Sequence, residues 1–490
     1  MNTTIETVPK PASITVRPEL SAERRLATFA VLSALSVLAW HAQTAVPFGL
    51  DSQTLGFVLA LIVLLRPFST MAFFSLALVE TVAIVIALPA TNTNRLLQLF
   101  VYGSIASTGV YAWARNRFRR LEPAAWSSIF QPLLRAQLVI VYCLAAWDKL
   151  NFGFLNSQSS CAVLLYEETP FWHLHASAAG LRWALIAGTI LTEAGLPVLL
   201  SIRRTRNFAV CYGAAFHIGL GFSDFYSFSM TMISLLFLFT PEHFCDAAAD
   251  WWGGAKESLR RTVKLGLAAV IAIVALLTLL KFGPRITGSN FPGLYATVNI
   301  VWVKCAKWVG YWLFLLYLVP LGFFVWLWRR QPRSFAPIVR PFASIPAGFW
   351  LIPALLIFDG LNPYLGLKTE TSFAMYSNLR TEGGQSNHLL WRHPLTGAGY
   401  QQDLVQVVDS SDTGPHHLPK GLYVPFMELR QRVLHLLHDG RHDLSVTYIR
   451  NGKLVSVASA KSDPELSARP SFLERKLLIF REIRTEGCPH

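Results

Sequence analysis

The chain has 490 residues, 53% of them hydrophobic and only 15% charged, with a mean hydropathy of +0.40. Soluble domains carry about 25% charged residues, so this composition excludes an ordinary cytosolic enzyme. The formal net charge of +14 would in a soluble chain raise nucleic acid as a partner. The arginines, however, gather in short links between apolar blocks and not along one face with interleaved aromatics, so no nucleic-acid partner is expected. Six cysteines without CxxC or Cys/His spacing give no zinc signature, and no metal is expected. Cys161 and Cys305 could share an oxidising face, and a bridge between them is one possibility.

In chain order, residues 1–25 are polar, carry Pro9 and Pro11, and read as a disordered cytoplasmic tail. Apolar blocks follow, most near the length that crosses about 30 Å of hydrocarbon and several shorter, with 51–65 readable either as a span or as an interfacial piece. They lie at 26–47, 51–65, 68–90, 96–113, 127–147, 181–201, 207–222, 226–240, 262–280, 308–328 and 344–361. Arg66-Pro67 separates the second from the third, because proline stops a helix and restrains the residue before it. After Leu361 the composition turns polar. The alternating runs Leu404-Val-Gln-Val-Val408, Leu444-Ser-Val-Thr-Tyr448 and Leu454-Val-Ser-Val457 read as strands. Asn451-Gly452 reads as a hairpin turn, and 425–438 and 471–480 as amphipathic helices. The fold class expected is an all-α polytopic membrane bundle of about 9–11 spans, covering 26–361, with a small C-terminal α+β soluble domain over 362–490.

Basic clusters set the orientation. Arg24 and Arg25, then Arg115, Arg117, Arg119 and Arg120, then Arg203, Arg204 and Arg206, then Arg260 and Arg261, and finally Arg329, Arg330 and Arg333 all fall on one side of the spans as numbered. The N-terminus is therefore expected in the cytoplasm of a cell with a plasma or inner membrane. The 148–180 loop and the C-terminal domain are expected outside. No internal repeat or inverted two-half pattern is visible, which weakens a secondary-transporter reading.

Ionisable side chains inside spans are costly and so are functional candidates. Here they are His41, Glu80, Glu193 and His217, with Arg135, Asp148, Lys149, Asp224 and Asp359 nearer an interface. Lys149 closes the fifth span. It reads either as a snorkelling lysine that complements the helix C-terminus or as a functional amine, and the positive-inside rule gives an outward lysine no other reason to be there. His217 lies about 9 Å below the outer turn at Ser223-Asp224; its plain reading is a neutral imidazole bonded to another helix. Glu193 lies about 18 Å into its span from the outer side, deeper than the other two, and its simplest role is structural. His41 and Glu80 have structural readings as well. A haem held by His41 and His217 has no recognisable spacing behind it.

The run Tyr142-Cys-Leu-Ala-Ala-Trp-Asp-Lys-Leu-Asn151, with Phe154-Leu-Asn156 and Ser160-Cys-Ala-Val163, resembles the signature of the vitamin K-dependent gamma-carboxylase family and its bacterial relatives, the horizontally transferred transmembrane (HTTM) proteins. Glu193-Ala-Gly-Leu-Pro197, Arg203-Arg-Thr-Arg206 and Phe216-His217 with 225–230 resemble that family's next stretch. Leu361-Asn-Pro-Tyr-Leu-Gly-Leu-Lys-Thr-Glu370 with Phe373-Ala-Met-Tyr-Ser-Asn378 resembles bacterial members. The chain departs from the pattern where a Trp-x-x-Gly usually follows the lysine; Phe152-Gly153-Phe154 stands there instead.

The resemblance implies an outward-facing site with two catalytic residues. Lys149 would be the base that deprotonates a reduced quinone of the vitamin K kind, and His217 would line the same site. Asp148, Glu193, Asp224 and His41 are further candidates to line it. The expected function is quinol oxygenation coupled to proton abstraction and carboxylation, with the lipid bilayer and a membrane quinone as partners. The other reading, from a different class, is a non-catalytic membrane module that binds a lipid or a protein through its C-terminal domain.

Overall fold

The computed structural model of the chain describes residues 18–44, 52–89, 91–169, 176–262, 308–330, 345–411, 418–438 and 443–484, with shorter pieces between them. Most of these residues are helical. In chain order the main helices are α1 (Pro18–Thr44), α2 (Ser52–Leu65), α3 (Thr70–Ala87), α4 (Thr93–Arg115), α5 (Pro123–Asp148), α6 (Phe152–Leu155), α7 (Cys161–Glu167), α8 (Ala179–Ser201), α9 (Arg206–Leu220), α10 (Tyr226–Phe237) and α11 (Phe244–Gly254). After them come α12 (Leu318–Arg330), α13 (Leu351–Leu361), α14 (Phe426–His438) and α15 (Phe472–Leu477).

Among the described residues, six helical stretches are long and apolar enough to cross a membrane: Glu19–Gln43, Thr70–Ala87, Pro123–Asp148, Ala179–Ser201, Arg206–Phe237 and Trp308–Arg330. The fifth is two helices. Ser223 and Asp224 leave helical geometry, Asp224 at φ +72°, and a Cβ on Gly213 would meet Leu236 at 3.0 Å. Residues equidistant from the break therefore touch, and α9 and α10 fold back as a tight hairpin, as the turn expected at Ser223-Asp224 requires. The second and third helices separate at Arg66-Pro67 as expected. The span expected over 262–280 lies largely outside the described residues.

Two expectations are corrected. The first helix starts at Pro18, not after Arg25, so only residues 1–17 of the expected tail remain, and these lie outside the described residues. Arg25, read as part of an exposed basic cluster, is buried. It donates to the Leu238 and Pro241 carbonyls at 2.7 and 3.1 Å. Arg135 donates to the Leu238 carbonyl at 2.8 Å, and Arg206, also buried, to Leu200 and Ser201. The physical reason is shared: the last carbonyls of a helix have no partner within it, and a guanidinium with five donors satisfies several at once. Arg115, Arg117, Arg119, Arg120, Arg203, Arg204, Arg329 and Arg330 do remain exposed.

Helix α1 packs on α2, α5 and α10, α3 on α2 and α4, and α5 on α4, α8 and α13. Between the helices run polar contacts of the kind that join helices in an apolar medium. Ser36 meets Thr231 at 2.7 Å, Asn94 donates to Ser227, and Trp126 donates to the Ile105 carbonyl. Arg95, in α4, donates to the buried Glu80 carboxylate of α3 at 2.7 Å and to Gln98 at 2.8 Å, with its guanidinium 5.1 Å from the Trp40 ring. Glu80 is thus a structural ion-pair member.

Beyond α13 the chain forms a four-stranded antiparallel sheet of order β2-β1-β3-β4. Its strands are β1 (Leu404–Ser410), β2 (Tyr423–Pro425), β3 (Val446–Arg450) and β4 (Lys453–Val457), with α14 packed on β1 and β2. Val405, Val407, Leu429, Val433, Val446 and Tyr448 build its core. The hairpin turn falls where expected, with Asn451 at φ +52° and Gly452 at +74°, the left-handed pair that a two-residue turn of this kind requires. The sequence pattern missed β2, three residues long and without alternation to read.

Candidate functional site

The last turn of α5 carries Lys149, and what surrounds it comes from three distant parts of the chain. Asn151 ends the α5 connection by capping α6, accepting from the Phe154 amide at 2.8 Å, and donates to the Asp148 and Ser377 carbonyls. Helices α6 and α7 then lie over the end of α5, beside the N-terminal half of α8. Asn378 holds them down: its side chain accepts from the Cys161 amide at 2.8 Å and donates to the Ser159 carbonyl at 2.9 Å.

A disulfide joins Cys161 to Cys488. This replaces the pairing considered for Cys161 and Cys305; Cys305 lies outside the described residues. The reason is tertiary, because the extreme C-terminus returns to the α7 end of the bundle.

His388 completes the roof. Its Nδ1 accepts from the Leu390 and Trp391 amides, which fixes the proton on Nε2, and Nε2 donates to the Trp147 carbonyl at 2.9 Å. Burial holds the His388 imidazole below its ordinary pKa, the bond to Trp147 acting the other way.

Beneath this roof is a cavity of about 300 Å³, at the small end of the range for ligand pockets. Its walls are apolar and aromatic, with Phe154, Phe216, Phe225, Phe228 and Phe373 among them, and Lys149 and Glu193 supply the charged groups. Lys149 is 5% exposed and Glu193 8%. Lys149 Nζ lies 2.9 Å from Glu193 Oε2 and 5.7 Å from the Phe154 ring centre. The oxygen receives no hydrogen bond of good angle, so proximity of charge holds the pair. Glu193 therefore lies at the depth of Lys149. Fourteen residues of α8, about 21 Å at 1.5 Å per residue, separate Ala179 from Glu193; α6, α7 and the Phe373–Asn378 strap occupy the space over the end of α5.

The structure brings Lys149 and Glu193 together and sets the other candidates apart. His217 is 1% exposed and does not line the cavity. Its Nε2 lies 2.7 Å from the Tyr142 hydroxyl, a helix-to-helix bond of the plain kind, in which the donor depends on the tautomer. The Phe216 and Phe228 rings, 5.3 and 5.8 Å from the imidazole, stand at the cavity wall. His217 Nδ1 has no partner among the described residues. Asp148, fully buried, accepts from the Tyr364 hydroxyl at 2.8 Å on another side of α5. Asp224 accepts from Tyr311 at 3.0 Å in the α9–α10 turn. His41 packs edge-on against Phe57, 5.6 Å between rings. None of these three lines the cavity.

Phe373, Met375 and Tyr376 were not among the single candidates, although they fall in the run 373–378 that carries the resemblance. They reach the cavity because the strap bends through left-handed positions, with Phe373 at φ +62°, Tyr376 at +53° and Asn378 at +54°, conformations that non-glycine residues adopt at a cost. Burial pushes the Tyr376 hydroxyl up to about 12, with Glu168 nearby adding to the effect. It stays neutral at ordinary pH, a donor and not a base. Among the described residues no group of three or more His, Cys, Asp or Glu side chains could hold a metal ion.

The cavity has aromatic walls and presents the Lys149 amine and the Glu193 carboxylate to its interior. No family model, no curated protein and no solved structure matches this chain.

Proposed function

We propose that this chain is an integral membrane protein whose Lys149 cavity takes a reduced quinone, with quinol oxygenation coupled to proton abstraction and carboxylation, as in the carboxylase-like HTTM family it resembles. The single observation that carries the reading is an amine held 2.9 Å from a carboxylate at the wall of a mainly apolar, aromatic-lined cavity. A reduced quinone suits these walls: its ring packs on phenylalanines, and its hydroxyl finds the one charged pair. Bound there, it supplies a phenolic hydroxyl and two reducing equivalents for oxygen.

The residues do the rest. Lys149 Nζ, as the base, would accept the phenolic proton, and Glu193 Oε2, 2.9 Å away, would face the ammonium so formed. Positioned proton transfer of this kind contributes about 10²–10⁴-fold. Residues of α6, α7 and the strap cover the Lys149 end of the cavity. His217, bonded to Tyr142 behind Phe216 and Phe228, acts as a positioning residue.

The orientation belongs to the same proposal. The exposed arginines and the buried Arg25 and Arg206 fit a cytoplasmic end. The Cys161–Cys488 disulfide near the Lys149 roof fits an oxidising compartment on the other side, and on this reading the C-terminal sheet lies there too.

Purified protein given reduced naphthoquinone and oxygen should form the epoxide, and Lys149→Ala should abolish it. Unchanged turnover in that variant ends the mechanism.

A further inference from the structure

A second cavity, of about 680 Å³, lies on the other side of the strap. Thr371 lines it, whereas Phe373, two residues on, lines the Lys149 cavity. Its long walls come from α4 (Leu96, Leu99, Gly103) and α13 (Leu355, Phe358), and α15 closes it with Leu473 and Leu477. Leu355 and Phe358 are also exposed on the outside of the bundle, at 48% and 52%, so the crevice opens sideways where an apolar medium would lie.

Its polar end is built. Asp359 Oδ1 is held by Lys368 Nζ at 2.7 Å and receives the Asn362 side-chain amide at 3.4 Å. That second contact sets which side-chain atom of Asn362 is nitrogen, because the reverse would oppose two acceptors. Two acceptors are left over. Asp359 Oδ2 and Asn362 Oδ1 have no hydrogen-bond donor among the described residues. Asn362 is only 6% exposed, and both residues line the cavity. Lys368 is committed to Asp359 and to the Thr371 carbonyl at 2.9 Å, and Lys476 to the Ile86 and Leu88 carbonyls. The cavity thus presents two buried, unsatisfied acceptors and no uncommitted lysine. A buried acceptor left without a donor is unfavourable, so a donor-bearing ligand gains by supplying one.

We infer that this crevice is a binding site for a hydroxyl-bearing membrane amphiphile: an apolar chain between α4 and α13, and a head that donates hydrogen bonds to Asp359 and Asn362. A phosphate head is disfavoured, since it brings only acceptors and negative charge to two acceptors. Two sources share the required chemistry, a quinol and a diacylglycerol. The inference does not depend on the role proposed for Lys149.

The test uses the full-length protein in nanodiscs and photoactivatable probes with a diazirine in the apolar tail: a prenylated naphthoquinol held reduced, its oxidised quinone, and a diacylglycerol. Crosslinks are mapped to peptides covering 96–107 and 351–362. The reduced quinol or the diacylglycerol should label both, and whichever does so identifies the source. The oxidised quinone, which has no donor, should label them about tenfold less than the quinol. Asn362→Leu should lower labelling about tenfold. Gly103→Leu should do so independently by filling the crevice, since a Cβ there meets only Thr81 at 3.8 Å. Labelling by neither donor-headed probe, labelling by the quinone as strong as that by the better donor-headed probe, or labelling unchanged in both variants overturns the inference.

Discussion

Replacing Glu193 alone by leucine should destabilise the protein far more than replacing Glu193 and Lys149 together. At 2.9 Å and an effective dielectric constant of about 20, the two charges attract by about 6 kcal/mol. Taking each ion out of water costs several kcal/mol, so the pair as a whole contributes little net stability. Removing the carboxylate cancels the attraction but leaves the desolvated ammonium, for an expected loss of about 3–5 kcal/mol. Lys149→Met with Glu193→Leu removes both costs and the attraction together, and should fall within about 1.5 kcal/mol of the parent. The assay is a double-mutant cycle on detergent-solubilised protein, titrated with dodecyl sulfate and followed by tryptophan fluorescence. A coupling energy of about 2 kcal/mol or more is expected, the range for residues in direct contact. If the two single changes add within about 0.5 kcal/mol, the pair is not the closed, water-poor unit argued above.

Cys161→Ser or Cys488→Ser should cost about 2–5 kcal/mol and make the C-terminus a target for limited proteolysis; parent-like protease resistance would place the roof's hold in Asn378 and His388 instead. For His388, burial lowers the folded-state pKa below the unfolded value of 6.5. The folded chain then binds fewer protons than the unfolded one between those two values, and stability falls as pH drops below about 6.5 and is fully present above it. A His388→Gln variant should lose that dependence, and a thermal-midpoint series from pH 8 to pH 5 reads the difference. Gly366→Ala should cost more than about 2 kcal/mol: Gly366 sits at φ +72° and a Cβ would collide with the Leu395 carbonyl oxygen. Chemical denaturation that leaves this variant equal to the parent would refute the close approach.

The order of the apolar helices was legible in the chain because hydropathy over about 20 residues is a local property. So was the α9–α10 hairpin, since the Ser223-Asp224 break stands out inside an apolar run, and so was the Asn451-Gly452 turn. Lys149 and Glu193 were legible as costly residues in apolar surroundings, each taken singly. Their partnership was not. Depth measured along α8 alone put Glu193 well below Lys149, because helix rise says nothing of how far α5 reaches. The arginines misled in part for a similar reason: composition counts Arg25 and Arg206 as surface charge, whereas the fold spends them on orphan carbonyls.

The sequence by itself determined where helices form, where they break, and which side chains carry a charge too expensive to be there without a partner; these follow from runs of neighbouring residues. Only the tertiary structure decided that Glu193 faces Lys149, that Tyr142 takes His217, that Cys161 meets Cys488 and that Phe373 to Asn378 close the cavity. Those pairs are brought together by packing between segments up to 327 residues apart. Periodicity along a chain carries no record of such distances.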